Sequence, residues 1–131
     1  MHEAKVVGKI VIGSLKGNTQ GLGKDIVMAT LRAAGFQVVD LGVDVPPERY
    51  VDAVIQEKAQ IIAISISVDE TVSFLKDVVD SLKQRGLSGK VKIVIGGQAV
   101  SEQIREEYCV DAYAKDEQDC VKKVKRLLNS L

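Results

Sequence analysis

Between Gly13 and Val27 the chain reads GSLKGNTQGLGKDIV, a glycine-rich stretch that follows an apolar run and opens a helical pattern. Glycines ahead of a lysine at a helix start suggest a phosphate cradle, because bare backbone amides can close on the oxygens while the lysine supplies charge. The spacing fails that test. A Walker loop needs glycine, four residues and then Gly-Lys-Ser/Thr; counted back from Gly23 the first position is Asn18, and Asp25 stands where the magnesium-binding hydroxyl belongs. A dinucleotide fingerprint can start at Gly21 and Gly23 but meets Ile26 at its third glycine. The loop needs a different explanation.

Other reactive side chains are sparse. Cys109 and Cys120 are separated by ten residues, with no second cysteine pair and no histidine nearby, which fits neither a zinc site nor a disulfide scaffold. Both are expected as reduced structural thiols. The one histidine, His2, lies seven residues before the first apolar run, in a terminal stretch expected to be frayed rather than catalytic. No group of residues reads as a complete set of acid, base and nucleophile.

The chain has 131 residues, about one domain's worth, and is expected to form a single domain over 1–131 with its core at about 9–128. Eighteen basic residues balance eighteen acidic ones, so no global field recruits nucleic acid or an anionic membrane surface. No apolar run approaches the roughly 20 residues of a membrane span, and MHEAKVVGKI lacks the apolar region of a signal peptide. A cytoplasmic protein is the expectation.

Short apolar runs alternate with helical patterns. The runs fall at 9–15, 36–41, 61–65 and 91–96, with a weak one at 111–114; the helical patterns fall at 23–34, 46–58, 70–84, 101–108 and 117–129. Pro46 and Pro47 suit a first helical turn, Gly35 and Gly86 suit helix ends, Ser67 with Glu70 has capping-box spacing, and Asp116 with Asp119 suits an N-cap. Near-continuous apolar strands such as 61–64 and 93–95 are expected when helices cover both faces of a parallel sheet. Five βα units of this length predict a flavodoxin-like, Rossmann-like α/β fold: a doubly wound five-stranded parallel sheet of order 2-1-3-4-5 in three layers. Its ligand crevice lies between strands 1 and 3, beyond their carboxyl ends, where the opening loop and SISVDET (65–71) both fall.

Two common residents of such a fold do not suit these residues. A phosphoacceptor receiver needs an aspartate ending strand 3, where Ser65 stands, and an acidic pair after strand 1 that is missing. A flavodoxin needs a hydroxyl-rich first loop for the FMN phosphate; this loop has Thr19 alone, and the chain has no tryptophan to stack on a flavin.

The segments GKIVIGSLKGNTQGLGKDIV, AAGFQVVDLGVDVPPERYVDAV, GLSGKVKIVIGGQAVS and VDAYAKDEQDCV together resemble the cobalamin (vitamin B12)-binding domain of the methyltransferase corrinoid proteins, across about 9–128. The resemblance implies a cobalamin or related corrinoid cofactor, methylcobalamin included, seated over the first loop at Lys16, Gly17, Asn18, Thr19, Gln20, Gly21, Leu22 and Gly23. It further implies that Ser65 and Thr71 surround a buried nucleotide tail, with Ser67 beside them where the family more usually has leucine, that Gly96 and Gly97 leave room for it, and that Tyr113, Ala114 and Asp116 belong to the segment after strand 5. Plainer roles compete at these positions: helix capping for Ser65, Ser67, Thr71 and Asp116, and turn formation for the glycines.

The family's first loop carries Asp-x-His-x-x-Gly, whose histidine coordinates cobalt; the matching residues here are Asn18, Gln20 and Gly23. Ligand and carboxylate partner are both absent. A carboxylate serves there by holding the proton on the imidazole's other nitrogen, so without histidine it loses that purpose. Gln20 offers a neutral amide oxygen, a weak axial ligand for the metal, which would ease reduction of cobalt. The family's N-terminal helical bundle is also expected to be missing, leaving the upper corrin face to a methyltransferase or activating partner, or to a second copy in a homodimer. Three readings stay open: a corrinoid carrier of a methyltransferase-type system that is not itself a complete enzyme, the small subunit of an adenosylcobalamin mutase, and a regulatory or binding module that has lost cobalamin.

Overall fold

A computed structural model describes residues 8–131, so the reading of His2 falls outside the described residues. The apolar runs become strands β1 (Lys9–Leu15), β2 (Gln37–Val45), β3 (Ile61–Ser65), β4 (Lys92–Gly96) and β5 (Ala112–Tyr113). Helices α1 (Leu22–Ala33), α2 (Pro47–Glu57), α3 (Phe74–Gln84), α4 (Glu102–Tyr108) and α5 (Glu117–Asn129) follow them in turn. Every pairing is parallel and the strand order is β2-β1-β3-β4-β5, the flavodoxin-like arrangement expected. No helix among the described residues is long and apolar enough to cross a membrane.

Local signals set most boundaries. Pro46 is the extended N-cap of α2 and Pro47 its first residue. Gly35 and Gly86 close α1 and α3, the following residues Phe36 and Leu87 donating back to the Leu31 and Leu82 carbonyls. Ser101 and Asp116 cap α4 and α5, accepting from the Ile104 and Asp119 amides at 3.3 and 2.7 Å.

Two boundaries differ from expectation. Strand β2 runs on to Val45 because Gly42-Val43-Asp44-Val45 swings back to β1 through register shifts, so that Gly13 faces Gly42 and Leu15 faces Val45. Helix α3 begins at Phe74, after a single 3-10 turn at Asp69–Thr71. The Ser67 capping box does not form, because the amides of Ser67 and Val68 are already taken by a side chain from the first loop.

The two faces of the sheet carry different side chains. Toward α2 and α3 it presents Val11, Leu15, Ile62, Ile64, Ile66, Ile93 and Ile95, a dense aliphatic layer. Toward α1 and α5 the aligned level is Ile12, Ala63, Val94 and Ala112, and one level nearer the carboxyl ends stand Ser14, Ser65, Gly96 and Ala114. Small residues thus accumulate at one end of one face.

On the dense face the Tyr50 ring of α2 is fully buried, and its hydroxyl has no hydrogen-bond partner among the described residues. Burial pushes the phenol's pKa well up, keeping it neutral. A buried hydroxyl without a partner keeps its desolvation cost and gains nothing in return. Tyr50→Phe is expected to stabilise the protein by about 1 kcal/mol, read as a higher urea midpoint at unchanged slope; a loss of more than about 1 kcal/mol would show that the hydroxyl is satisfied.

Candidate functional site

Where the small residues gather, a cavity of about 490 Å³ opens between the sheet and the α1/α5 layer. Its walls are Ile12, Ala63, Val94, Ser65 and Gly96 from the strands, Gly23, Lys24 and Val27 from α1, and Ala114 and Cys120 from the β5 to α5 segment. Gln20, Ser67, Gly97, Gln98, Lys115, Asp116 and Glu117 stand around its mouth at the carboxyl end of the sheet. A dry void of this volume would cost on the order of 10 kcal/mol at about 24 cal/mol per Å³, comparable with a domain's entire stability. An open mouth makes the slot tolerable.

Gly23 is the sharpest feature of the wall. It lies inside α1, and a Cβ built on it would meet no atom within 4 Å. It is the second residue of the helix, and no packing contact among the described residues demands a glycine there. Gly97 is the opposite case. Its φ is 117°, and a Cβ there would collide with the backbone of Ile66, which hydrogen-bonds to the Gly96 carbonyl and the Ala99 amide. Gly97 is thus required by the contact between two loops as well as by the slot, while a Cβ on Gly96 would press on the Ala114 carbonyl at 3.3 Å.

The first loop is held by its neighbours. Lys16 N donates to the Val45 carbonyl at 2.8 Å, Gly17 N to Asp44 Oδ1 at 2.8 Å, and Asp44 N to the Asn18 carbonyl at 2.9 Å. Asn18 is 2% exposed and uses its whole amide. Its Nδ2 donates to the Leu15 carbonyl and to Thr71 Oγ1, each at 2.8 Å, while its Oδ1 accepts from the Ser67 and Val68 amides at 2.8 and 2.9 Å. This one side chain ties the β1–α1 loop to the β3–α3 loop. Ser14 Oγ, fully buried, donates to the Gln20 carbonyl at 3.1 Å and fixes the peptide that carries Gln20 at the mouth.

Lys24 does not serve a phosphate. It is 3% exposed, and its Nζ lies 2.8 Å from both Asp25 Oδ1 and Asp40 Oδ1. Burial works against its charge, but hydrogen bonds and charge from Asp25 and Asp40 outweigh this and hold its pKa above the ordinary lysine value. Asp40 mirrors it: burial opposes ionisation, yet the Lys24 ammonium and the Gly42 amide keep its carboxyl below the usual range. The ammonium is committed to this cluster, and the Gly23-Lys24 pair is no phosphate cradle.

The sequence-derived residues therefore divide. Gln20, Gly23, Ser65, Ser67, Gly96, Gly97, Ala114 and Asp116 line the slot. Asn18 and Thr71 stand behind it as the brace, and Gly17 is packed against Thr71. Lys16 stretches over the Phe74 ring at 5.2 Å, Tyr113 packs against the opposite core, and Thr19, Gly21 and the 72%-exposed Leu22 lie on the outer rim. The slot also recruits residues not singled out from the sequence, among them Ala63, Val94, Gln98 and Cys120. The available signal was small residues at alternate positions of β3 and of the run at 111–114, hidden within runs that read as uniformly apolar. Of the thiols, Cys120 is buried as expected but faces the slot, while Cys109 is exposed at the end of α4 in the left-handed conformation rather than packed in a core. Among the described residues no three His, Cys, Asp or Glu side chains cluster as a metal site.

A protein-family model described as B12 binding domain matches residues 8–121. Trimethylamine corrinoid protein 1 of Methanosarcina mazei is 39% identical over 126 residues, covering 96% of this chain and 58% of that protein. Among solved structures, a cobalamin-binding protein from Desulfitobacterium hafniense superposes with a TM-score of 0.88 at 32% identity, over 92% of this chain and 59% of that one. The methanol:cobalamin methyltransferase complex of Methanosarcina barkeri matches with a TM-score of 0.89 at 31% identity, over 98% of this chain and 49% of that one. The chain thus spans between 49% and 59% of the length of these relatives.

Two outcomes follow from the site's geometry. Asn18→Ala, which strands the Ser67 and Val68 amides, is expected to cost about 1–3 kcal/mol and to speed hydrogen exchange across 65–72; exchange unchanged there would remove the brace. Burial, aided by the Asp119 charge, pushes the Cys120 thiol up to about 12, so at pH 8 only about one molecule in 10⁴ carries the reactive thiolate. With Ellman's reagent at pH 8, one thiol, Cys109, should react promptly and Cys120 only after unfolding, its rate rising with pH; two equally fast thiols in the folded protein would contradict this.

Proposed function

The chain belongs to the B12-binding domain family, and from that premise we propose that it is a carrier of cobalamin or a related corrinoid in a methyltransferase-type system. The observation that carries this reading is the slot itself, kept open beside Gly23 in the first turn of α1, where an added Cβ would meet no packing neighbour within 4 Å among the described residues. A module that had lost its cofactor would gain stability by filling such a space.

In this reading the nucleotide tail enters between Ala63 and Val94 on one side and Val27 and Cys120 on the other, passing Gly23 and Gly96. Ser65, Ser67 and Asp116 face its polar connecting portion at the mouth. The first loop, held by Asn18 and Ser14, forms the seat for the corrin ring. The slot's volume suits a tail and not a whole corrinoid, so the ring remains outside, over a rim whose exposed Leu22, Val43 and Val68 give it apolar contact. A bound corrinoid supplies a cobalt centre able to accept and release a methyl group. The chain's own work is to bind, orient and shield.

Gln20, on the first loop at the mouth of the slot, is the residue whose amide oxygen would be offered to the metal of a bound corrinoid, as a weak ligand at most. Asn18, with both amide atoms engaged elsewhere, does not orient it. A methyltransferase or reductive-activating partner, or a second copy of the chain, would meet the other face of the ring, in the cytoplasm. Catalysis belongs to those partners.

The test is direct. Purified apoprotein mixed with aquocobalamin and desalted is expected to keep its colour, with a spectrum of the base-off type; colourless protein would overturn the reading. Gly23→Leu, which fills the slot from a helical position with open space, should retain or raise thermal stability while losing most of the bound colour. Undiminished binding by that variant would place the tail elsewhere.

A further inference from the structure

The polar and apolar parts of the slot are separated by depth. At the mouth stand the side chains of Gln20, Ser65, Ser67, Gln98, Lys115 and Asp116. The floor consists of Ile12, Ala63 and Val94 at one aligned level of the sheet, with Val27 below α1 and Cys120 below α5. Strand amides and carbonyls at this level are spent on the parallel ladder, and the amides of Val27 and Cys120 lie beyond the first turns of α1 and α5, within the helical hydrogen bonding. Lys24 shares the wall, but its ammonium is held by Asp25 and Asp40. The one polar group that the floor's side chains offer is the Cys120 thiol, a weak donor that burial keeps protonated.

We propose that this floor selects among corrinoids by the hydrogen-bonding character of the lower base, favouring a benzimidazole-type or phenolic base and discriminating against a purine. The proposal rests on the reading that the tail enters the slot. A benzimidazole brings a flat apolar bicycle with a single free ring acceptor, which the thiol can face. A phenolic base brings no ring acceptor at all. Adenine brings an exocyclic amino group with two donors and further ring acceptors, and the floor has no acceptor for the former and no second donor for the latter. Each group left unpaired in an apolar site keeps its full desolvation cost, so the purine is rejected although its shape is close to that of benzimidazole.

Calorimetric titration of the 131-residue apoprotein with four corrinoids tests this: cobalamin with its dimethylbenzimidazole base, the adenine-bearing analogue, a cresol-bearing analogue, and base-free cobinamide. Cobalamin and the cresol form are expected to bind at least tenfold more tightly than the adenine form, a difference of about 1.4 kcal/mol. Ala63→Ser, which adds one hydroxyl to the floor, should narrow that ratio while its melting curve confirms the fold. Equal affinity for the cobalamin and adenine forms, with cobinamide much weaker, would overturn the selectivity and leave the carrier reading intact. Equal affinity for all four would take the base out of the slot and overturn the selectivity with it. Binding of none would overturn both.

Discussion

The cavity exists because the strands run out of large side chains on one face as they approach their carboxyl ends. Isoleucines and a tyrosine fill the α2 and α3 side, where Tyr50 and Ile66 are wholly buried. On the α1 and α5 side Ser14, Ser65, Gly96 and Ala114 occupy the top level and cannot span the distance to the helices. Interiors pack at crystal-like density, so an opening of this size is a departure that packing forces oppose. What maintains it is absence of volume at several positions at once, Gly23 on the helix opposite among them. Helices at both ends of the gap are anchored lower down by Leu31, Val124 and Leu127, which close the core beneath the slot.

An open slot is useful only if its rim keeps its shape. The rim consists of loops, which would otherwise sample many conformations, and the structure fixes them through one buried amide. Asn18 can bridge the two loops because it donates and accepts through the same planar group. A carboxylate in its place would accept from Ser67 and Val68 but would set a second oxygen against the Leu15 carbonyl and have no proton to donate to Thr71 Oγ1, whose own proton goes to the Val68 carbonyl. This gives the amide at position 18 a positive reason beyond the loss of a neighbouring histidine. The extension of β2 to Asp44 and Val45 completes the enclosure from the other side.

Charge is used for construction rather than recognition in this part of the fold. Lys24 looks from its neighbours in the chain like a phosphate ligand, yet it is the buried centre of an ion cluster that pins α1 to β2. Its ammonium is already matched by carboxylates, which leaves no free positive charge for an anion at that depth. The polar contacts suited to a phosphodiester and sugar are at the mouth, and the floor is left to an apolar ring.

Strand and helix order and sheet topology were legible in the residues, since they follow from local periodicity, turn chemistry and the handedness of parallel crossovers. The motif-sized resemblance was legible too, including the amides at Asn18 and Gln20. Which residues face the ligand was not. Asn18 and Thr71 sit within the same short segments as Gln20 and Ser67, but whether a side chain points into the slot or behind it depends on partners some fifty positions away in the chain. Ser67 illustrates the limit: its spacing to Glu70 spells a helix cap, and a distant asparagine takes its amide first. Local interactions between near neighbours are written in the order of residues. The division of each loop into brace and wall, and the depth at which polarity gives way to an apolar floor, arise only when four strands and two helices are brought into register.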